Sequence, residues 1–124
     1  MIFDVLDKQF DVKLKTFDGL NIFDEQPAEA VNRVEQLIED LDFFALNALF
    51  QVTICSKSSA IALALIHGGH ISVEQAVRLA RIDEDFQTKY FGVVQGAHDL
   101  DEAYLYSVFS TAKSIVNLSA LREF

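Results

Sequence analysis

The chain has 124 residues, 51% of them hydrophobic, which predicts a single folded domain spanning residues 1–124 and excludes a disordered chain. Ten Lys and Arg against nineteen Asp and Glu give a formal net charge of −9. Because no basic run accompanies this charge, nucleic acid is excluded as the expected partner, and a basic or mixed-charge protein is favoured.

The first two predicted helices lie before residue 42. Apolar residues at helical spacing predict a short first helix, and the acids within it exclude the basic start of a signal peptide. Residues 11–16 alternate as an extended segment, and a loop then leads to Pro27, which suits the first position of a helix. The apolar positions of the first helix are Ile2, Val5, Leu6 and Phe10. The expected seam of the second helix is Val31, Val34, Ile38 and Leu41.

A third helix is predicted over residues 43–66, with Asp42 as its cap and Gly68-Gly69 as its end. This segment is apolar on nearly every side, so it is expected to form the centre of the fold. Polar residues interrupt it in a pattern typical of a helix buried in protein, and no membrane insertion is predicted. Cys55 cannot form an internal disulfide and is expected to be a buried thiol, not a nucleophile.

The fourth helix has the clearest start, because Ser72-Val73-Glu74-Gln75 has the form of a capping box. It is predicted to continue to Phe91, where Gly92 and Gly96 interrupt the pattern, and Asp99 or Asp101 then offers a cap for a last helix. The fold class predicted from this pattern is all-α, a bundle of about five helices around a central apolar helix. The expected buried face of the last helix is Leu105, Val108, Phe109, Ala112, Ile115, Val116 and Ser119, with Leu121 beside it.

Three consecutive carboxylates lie inside the predicted fourth helix, at positions 83–85. On a continuous helical wheel, Asp85 falls on the solvated side with Arg81, at a spacing that permits an ion pair. Asp83 falls on the apolar arc, with Gln87 next to it and Glu84 at the margin. The aromatic residues of the same arc are Phe86, Tyr90 and Phe91.

A carboxylate on a buried arc must be paired, protonated or directed into a groove, because burying it alone costs several kcal/mol. Three interpretations remain open. The first is a structural polar network of Asp83 and Gln87, and the second is a groove in which the aromatics surround carboxylates that meet a partner's Arg or amide groups. The third is catalysis or metal binding by paired carboxylates.

Sequence motifs for catalysis, cofactors and metals are missing. The chain has no phosphate-binding loop, no dinucleotide fingerprint, no nucleophile elbow and no CxxC pair. His67 and His70 flank a glycine turn, and neither they nor His98 have a carboxylate at the spacing of a metal site. We therefore expect no catalytic residue, no metal and no cofactor, and binding is favoured over catalysis.

Residues 71–103, ISVEQAVRLARIDEDFQTKYFGVVQGAHDLDEA, resemble the signature region of the α-subunit chaperones of F1-ATPase assembly, the Atp-twelve family. The earlier part of the chain resembles the same family more loosely. The family usually has Trp or Tyr at the positions of Phe86 and Phe91, and its members carry an N-terminal β-rich domain with no counterpart here. The chain is thus expected to correspond to the helical C-terminal domain. The matching features are Glu74-Gln75-Ala76, the IDEDFQ core at 82–87, Gly92, and Ala97-His98-Asp99.

The resemblance implies a chaperone that binds the free F1 α subunit and shields the surface that later meets the β subunit. It implies no enzyme activity and no small-molecule substrate, and it implies a location in the cytoplasm of an alphaproteobacterium or in the mitochondrial matrix. The residues expected to bind the partner are Glu84, Asp83, Gln87, Phe86, Tyr90, Phe91 and His98. The alternative is a carboxylate-dependent helical enzyme, with or without metal assistance, that uses Asp83, Glu84 and His98.

Overall fold

The computed structural model describes residues 2–19, 24–94 and 96–121. Over these residues the secondary structure is helical without strands, which confirms the all-α class. The chain divides into two compact units, Met1–Leu41 and Asp42–Phe124. The prediction of a single domain stays a prediction. The helices are α1 Ile2–Phe10, α2 Ala28–Glu39, α3 Phe43–Ser56, α4 Ser59–Ile66, α5 Val73–Ala80, α6 Ile82–Phe91 and α7 His98–Ala120.

The first unit contains α1 and α2. Asp11 ends α1 in the left-handed conformation, at φ 55°, and the next amide, that of Val12, donates to the carbonyl of Leu6 at 3.0 Å. The predicted extended segment is present without a strand partner. The side chain of Gln26 bonds this segment as a neighbouring strand would. Its Oε1 accepts from the N–H of Lys15 at 2.8 Å, and its Nε2 donates to the carbonyl of Lys15 at 3.1 Å.

The second helix differs from its prediction in start and in seam. Pro27 precedes the helix as its N-cap and is not its first residue, a shift of one position. The buried residues are Ala30 and Leu37, whereas Val31 is 44% exposed. The predicted seam is wrong in part: it left out the buried Ala30 and Leu37, whereas its residues Val34, Ile38 and Leu41 are half-buried.

The predicted third helix is broken into α3 and α4 at Lys57. Asp42 caps α3 as expected, since its carboxylate accepts from the N–H of Ala45 at 2.8 Å. Lys57 adopts the left-handed conformation, at φ 56°, and Ser58 then caps α4 by accepting from Ile61 at 3.4 Å. The signal for this break was the polar run Ser56-Lys57-Ser58-Ser59, which offers capping side chains to the backbone in the middle of an apolar segment.

The two halves of this segment differ in burial. Every residue from Ile61 to Ile66 in α4 is buried, and Gly68, at φ 84°, follows the end of that helix as expected. In contrast, α3 leaves one apolar side exposed, so the expectation that residues 43–66 are buried all round is wrong for this half. Cys55 is half-buried. The exposed large side chains of α3 are Phe43, Phe44, Leu46, Phe50 and Ile54.

The predicted fourth helix is likewise broken into α5 and α6, at Arg81. The capping box is confirmed, because the Ser72 hydroxyl accepts from the N–H of Gln75 at 3.1 Å and the Gln75 side chain accepts from the N–H of Ser72 at 2.8 Å. The two breaks, at Lys57 and Arg81, account for the difference between the five helices predicted and the seven found in the described ranges.

The last helix, α7, begins at His98 with Ala97 before it, so the predicted Asp99 or Asp101 cap is wrong. The amide of Asp101 donates to the Ala97 carbonyl at 3.0 Å, and the first turn is therefore already formed before either aspartate. Both acids lie within that turn, where their charge complements the helix dipole. The expected face is partly confirmed: Phe109 and Ala112 are buried, but Leu121 is exposed.

In the second unit, α3 packs against α4 and α7, and α5 packs against the same two helices. The exception is α6, which has no buried residue and makes its main helix contact with α5. Among the described residues, no helix combines the length and the apolar character needed to cross a membrane.

Candidate functional site

The break at Arg81 changes which side chains of α6 face the protein. Residue 81 has φ −102° and ψ 11°, so the helical phase set by α5 does not continue into α6. The wheel drawn over residues 72–91 assumed that it did. Its placements therefore fail on both sides of the wheel: Arg81, assigned to solvent, is 7% exposed, and Asp83, assigned to the buried arc, is exposed.

Arg81 is held by polar groups from two helices. Its Nη1 donates to the carbonyl oxygen of His98 at 2.9 Å, and its Nη2 lies 3.7 Å from Oε2 of Glu102 in α7. In α6, the helix that follows Arg81, Oδ1 of Asp85 lies 3.8 Å from the Arg81 Nε, which confirms the predicted i,i+4 pair. A buried guanidinium with several acceptors is the arrangement in which burial of a charge is tolerated.

The three carboxylates of α6 have three different environments. Asp83 is exposed, and Asp85 is exposed and paired with Arg81. Glu84 is half-buried, as its place at the margin of the arc predicted, and its Oε1 lies 3.6 Å from Nζ of Lys57. Its other oxygen, Oε2, is buried and has no hydrogen-bond partner in the described part of the chain. An acceptor in this state costs the fold free energy, because its lost hydration is not repaid.

Aromatic side chains are exposed along the same helix as these carboxylates. The rings of Phe86 and Tyr90 are in contact, with centroids 4.7 Å apart and planes at 49°. Phe91 is 88% exposed, and Ile82 is also exposed, so the prediction of a buried aromatic arc is wrong. We call these side chains together the α6 surface, which comprises Ile82, Asp83, Glu84, Phe86, Gln87, Tyr90 and Phe91. Gln87 is exposed as well.

His98 lies at the start of α7 and has a structural environment. Its Nδ1 accepts from the N–H of Val94 at 3.1 Å, and its carbonyl is the acceptor of Arg81. These bonds link the start of α7 to Val94 and to Arg81, the residues beyond either end of α6. No group of three or more metal-ligating side chains occurs in the residues described, so Asp83, Glu84 and His98 form no such cluster there.

A second apolar surface, which the sequence analysis missed, lies between α3 and α7. It is a groove with a volume of about 360 Å³. No side chain of α3 is ionisable except Cys55, in a chain with a net charge of −9. The signal in the sequence was this absence of charge along α3, whose residues Phe43, Phe44 and Ala48 line the groove. The groove is lined by Phe43, Phe44, Asn47, Ala48, Gln51, Ser107, Val108, Thr111, Ala112 and Ile115.

Comparison with protein-family models and with curated proteins finds no match. Three solved structures are similar. The crystal structure of Atp12 from Paracoccus denitrificans superposes with a TM-score of 0.82 at 25% identity, over 94% of this chain and 49% of that one. A variant of the P. denitrificans protein with an aspartate replaced by lysine gives 0.83 at 24% identity, over 94% and 49%. A candidate chaperone from Agrobacterium tumefaciens gives 0.75 at 25% identity, over 93% and 42%.

The chain therefore spans about half the length of the solved proteins that it matches. The resemblance to the Atp-twelve family that the sequence indicates is confirmed by these structures, since two of the three are Atp12 itself.

Proposed function

Because this chain is Atp12-like over most of its length, we propose that it is an assembly chaperone of F1-ATPase that binds and shields the free α subunit. In this proposal the α6 surface is the binding surface. The protein acts by covering apolar area on its partner until the β subunit replaces it, and it uses neither ATP nor a metal. Its place is the compartment where F1 is assembled, the cytoplasm of an alphaproteobacterium or the mitochondrial matrix.

The observation that carries the proposal is the exposure of α6. A ten-residue helix with no buried side chain gains nothing from the hydrophobic contacts that normally stabilise helices of this length. Yet it presents Ile82, Phe86, Tyr90 and Phe91 to solvent. Contiguous exposed apolar side chains mark surfaces that a partner covers, and aromatic residues are the ones that contribute most to such interfaces.

The carboxylates add specificity to this apolar surface. Asp83 is exposed, and Glu84 is half-buried in the same first turn of α6. A guanidinium on the partner, which carries several donors, suits two such carboxylates. His98 is assigned a supporting part, because its ring and its carbonyl are bonded within the chain, to Val94 and to Arg81.

Capture of purified F1 α subunit by the immobilised chain tests the proposal. We expect the parent to retain the α subunit, and the double change Phe86→Ser and Phe91→Ser to lose most of the retention. Phe50→Ser is the matched control, because Phe50 is an equally exposed phenylalanine on α3 and not on the α6 surface. The proposal fails if the parent retains no α subunit, or if the α6 double variant retains as much as the Phe50 variant.

The alternative is the carboxylate-dependent enzyme, which would use Asp83, Glu84 and His98. Calorimetric titration with zinc and manganese distinguishes the two functions. Stoichiometric binding that is lost in Glu84→Gln favours the enzyme, whereas the chaperone needs no such binding.

A further inference from the structure

Arg81 stands at the junction between the bundle and the α6 surface but is itself not part of that surface. Its backbone N–H donates to the carbonyl of Val77 at 3.1 Å, and its carbonyl accepts from the N–H of Asp85 at 2.8 Å. The residue thus completes the last turn of α5 and the first turn of α6. The same residue extends its guanidinium to the carbonyl of His98 and to the carboxylate of Glu102.

Few other interactions hold α6 in place. The helix has no buried side chain, and its main helix contact is with α5, to which it is joined through residue 81. The ion pair of Glu84 with Lys57 is made by a lysine whose side chain is 81% exposed, so it contributes little. The direction in which α6 leaves the bundle is therefore determined mainly by the bonds of Arg81 to α7.

We propose that Arg81 is the positioning residue of the α6 surface: its guanidinium fixes the orientation of α6 on the bundle and so presents the aromatic and acidic side chains in one arrangement. The importance of this orientation rests on the proposed function, because a partner must meet the α6 surface in one arrangement. Whether Arg81 fixes the orientation of α6 is a separate question that does not depend on the partner. A guanidinium is suited to the task because its planar fork carries five donors, whereas an ammonium can only act as a point charge.

Amide hydrogen exchange, measured for each peptide of the full chain, shows how firmly α6 is held on the bundle. The quantity is the exchange rate of α6 divided by that of α4, whose residues Ile61–Ile66 are buried and report opening of the bundle. In Arg81→Gln we expect this ratio to rise about tenfold or more, the effect of losing a charge-assisted hydrogen bond. Arg78→Gln is the control, because it removes the same charge from an exposed position one turn earlier in α5 and should leave the ratio unchanged.

An unchanged or lower ratio in Arg81→Gln overturns the inference, since Arg81 would then stabilise the bundle as a whole and not the placement of α6. If Arg81→Gln does not fold, Arg81→Lys takes its place with the same two outcomes. The lysine variant keeps the charge but cannot bond the His98 carbonyl and both carboxylates together, so its ratio should lie between those of the parent and the glutamine variant.

Capture of the F1 α subunit completes the test. We expect Arg81→Gln to bind at least tenfold more weakly than Arg78→Gln at a temperature where both are fully folded by circular dichroism. Equal affinities, with a raised exchange ratio, overturn the positioning role. Failure of the parent itself to bind the α subunit refutes the proposed function instead, and the exchange ratio still decides whether Arg81 holds α6.

Discussion

At the scale of single residues, Glu84 differs from the two acids on either side of it. One carboxylate oxygen lies near Lys57, and the other is buried without a donor in the described residues. A fold gains no stability from an acceptor in that state, because the lost hydration is not repaid. We interpret Glu84, which is half-buried at the edge of the α6 surface, as a carboxylate whose charge the partner meets on its accessible side.

Replacing Glu84 by glutamine tests this interpretation, since the change removes the charge and keeps the shape. The stability of the fold should change by less than about 1 kcal/mol, because the pair with Lys57 is largely solvated. Affinity for the F1 α subunit should fall about tenfold, as for loss of a hydrogen bond to a charged group. Chemical denaturation and a binding titration measure the two effects. Glu35→Gln, at an exposed glutamate of α2 outside the α6 surface, is the matched control, and an equal loss of affinity in both variants would contradict a role for Glu84 in the contact.

A second residue with a definite prediction is Asp42, the cap of α3. The hydrogen bond from the N–H of Ala45 holds the pKa of this carboxyl below its ordinary value. A lowered pKa in the folded state means that the cap stabilises the protein above the ordinary value, about 4, and that this contribution is lost as the pH falls further.

Asp42→Asn keeps an oxygen that can cap but removes the titration. From about pH 6 down to about pH 3, the urea midpoint of the parent should therefore fall more steeply than that of the variant. Other carboxylates titrate equally in both proteins and cancel in the comparison. Parallel curves would show that the cap gains nothing from its charge.

At the scale of elements, each of the two breaks in the predicted helices is made by one residue, Lys57 or Arg81, in a different way. Lys57 joins α3 to α4 in the left-handed conformation, which costs a residue with a side chain about 1–2 kcal/mol. The junction between α5 and α6 is instead held by the side chain of Arg81. The junction at Lys57 depends only on the local backbone conformation, whereas the junction at Arg81 depends on residues in α7.

The left-handed junction predicts that Lys57→Gly is more stable than Lys57→Ala by about 1 kcal/mol, because glycine adopts this conformation without the cost of a side chain. Both variants lose the ion pair with Glu84, so the comparison isolates the backbone. Thermal or urea unfolding of the two proteins provides the measurement. If alanine proves equal or better, the junction is not left-handed in solution.

These junctions also show how much of the fold and of the candidate site can be predicted from the sequence. The capping box at Ser72 and the cap at Asp42 were predictable, because each is a local pattern whose donors and acceptors lie within three residues. The burial of Arg81 was not, since a helical wheel assigns a cation to solvent unless its acceptors are known. Those acceptors lie in α7, at positions 98 and 102, and only the fold brings them to residue 81. The error then spread along α6, because every placement on a wheel depends on the same phase.

At the scale of the whole molecule, the charge of −9 and the acidic α6 predict an effect of salt on association. Electrostatic steering raises the rate at which a partner with complementary charge is met, and salt screens it. Raising the ionic strength from about 0.05 M to about 0.5 M should slow association with the F1 α subunit severalfold and change dissociation less. Stopped-flow or surface-based kinetics measure both rates, and an association rate that increases with salt would indicate an apolar encounter without steering.

The distribution of aromatic residue types has an optical consequence. The chain has no tryptophan and three tyrosines, Tyr90, Tyr104 and Tyr106, all of them in α6 or in the first part of α7. Ultraviolet emission excited near the tyrosine band therefore comes from this region alone, without a label. A partner that carries tryptophan and docks on α6 would quench the emission of Tyr90 by energy transfer, so the native protein contains its own reporter of the contact proposed for it.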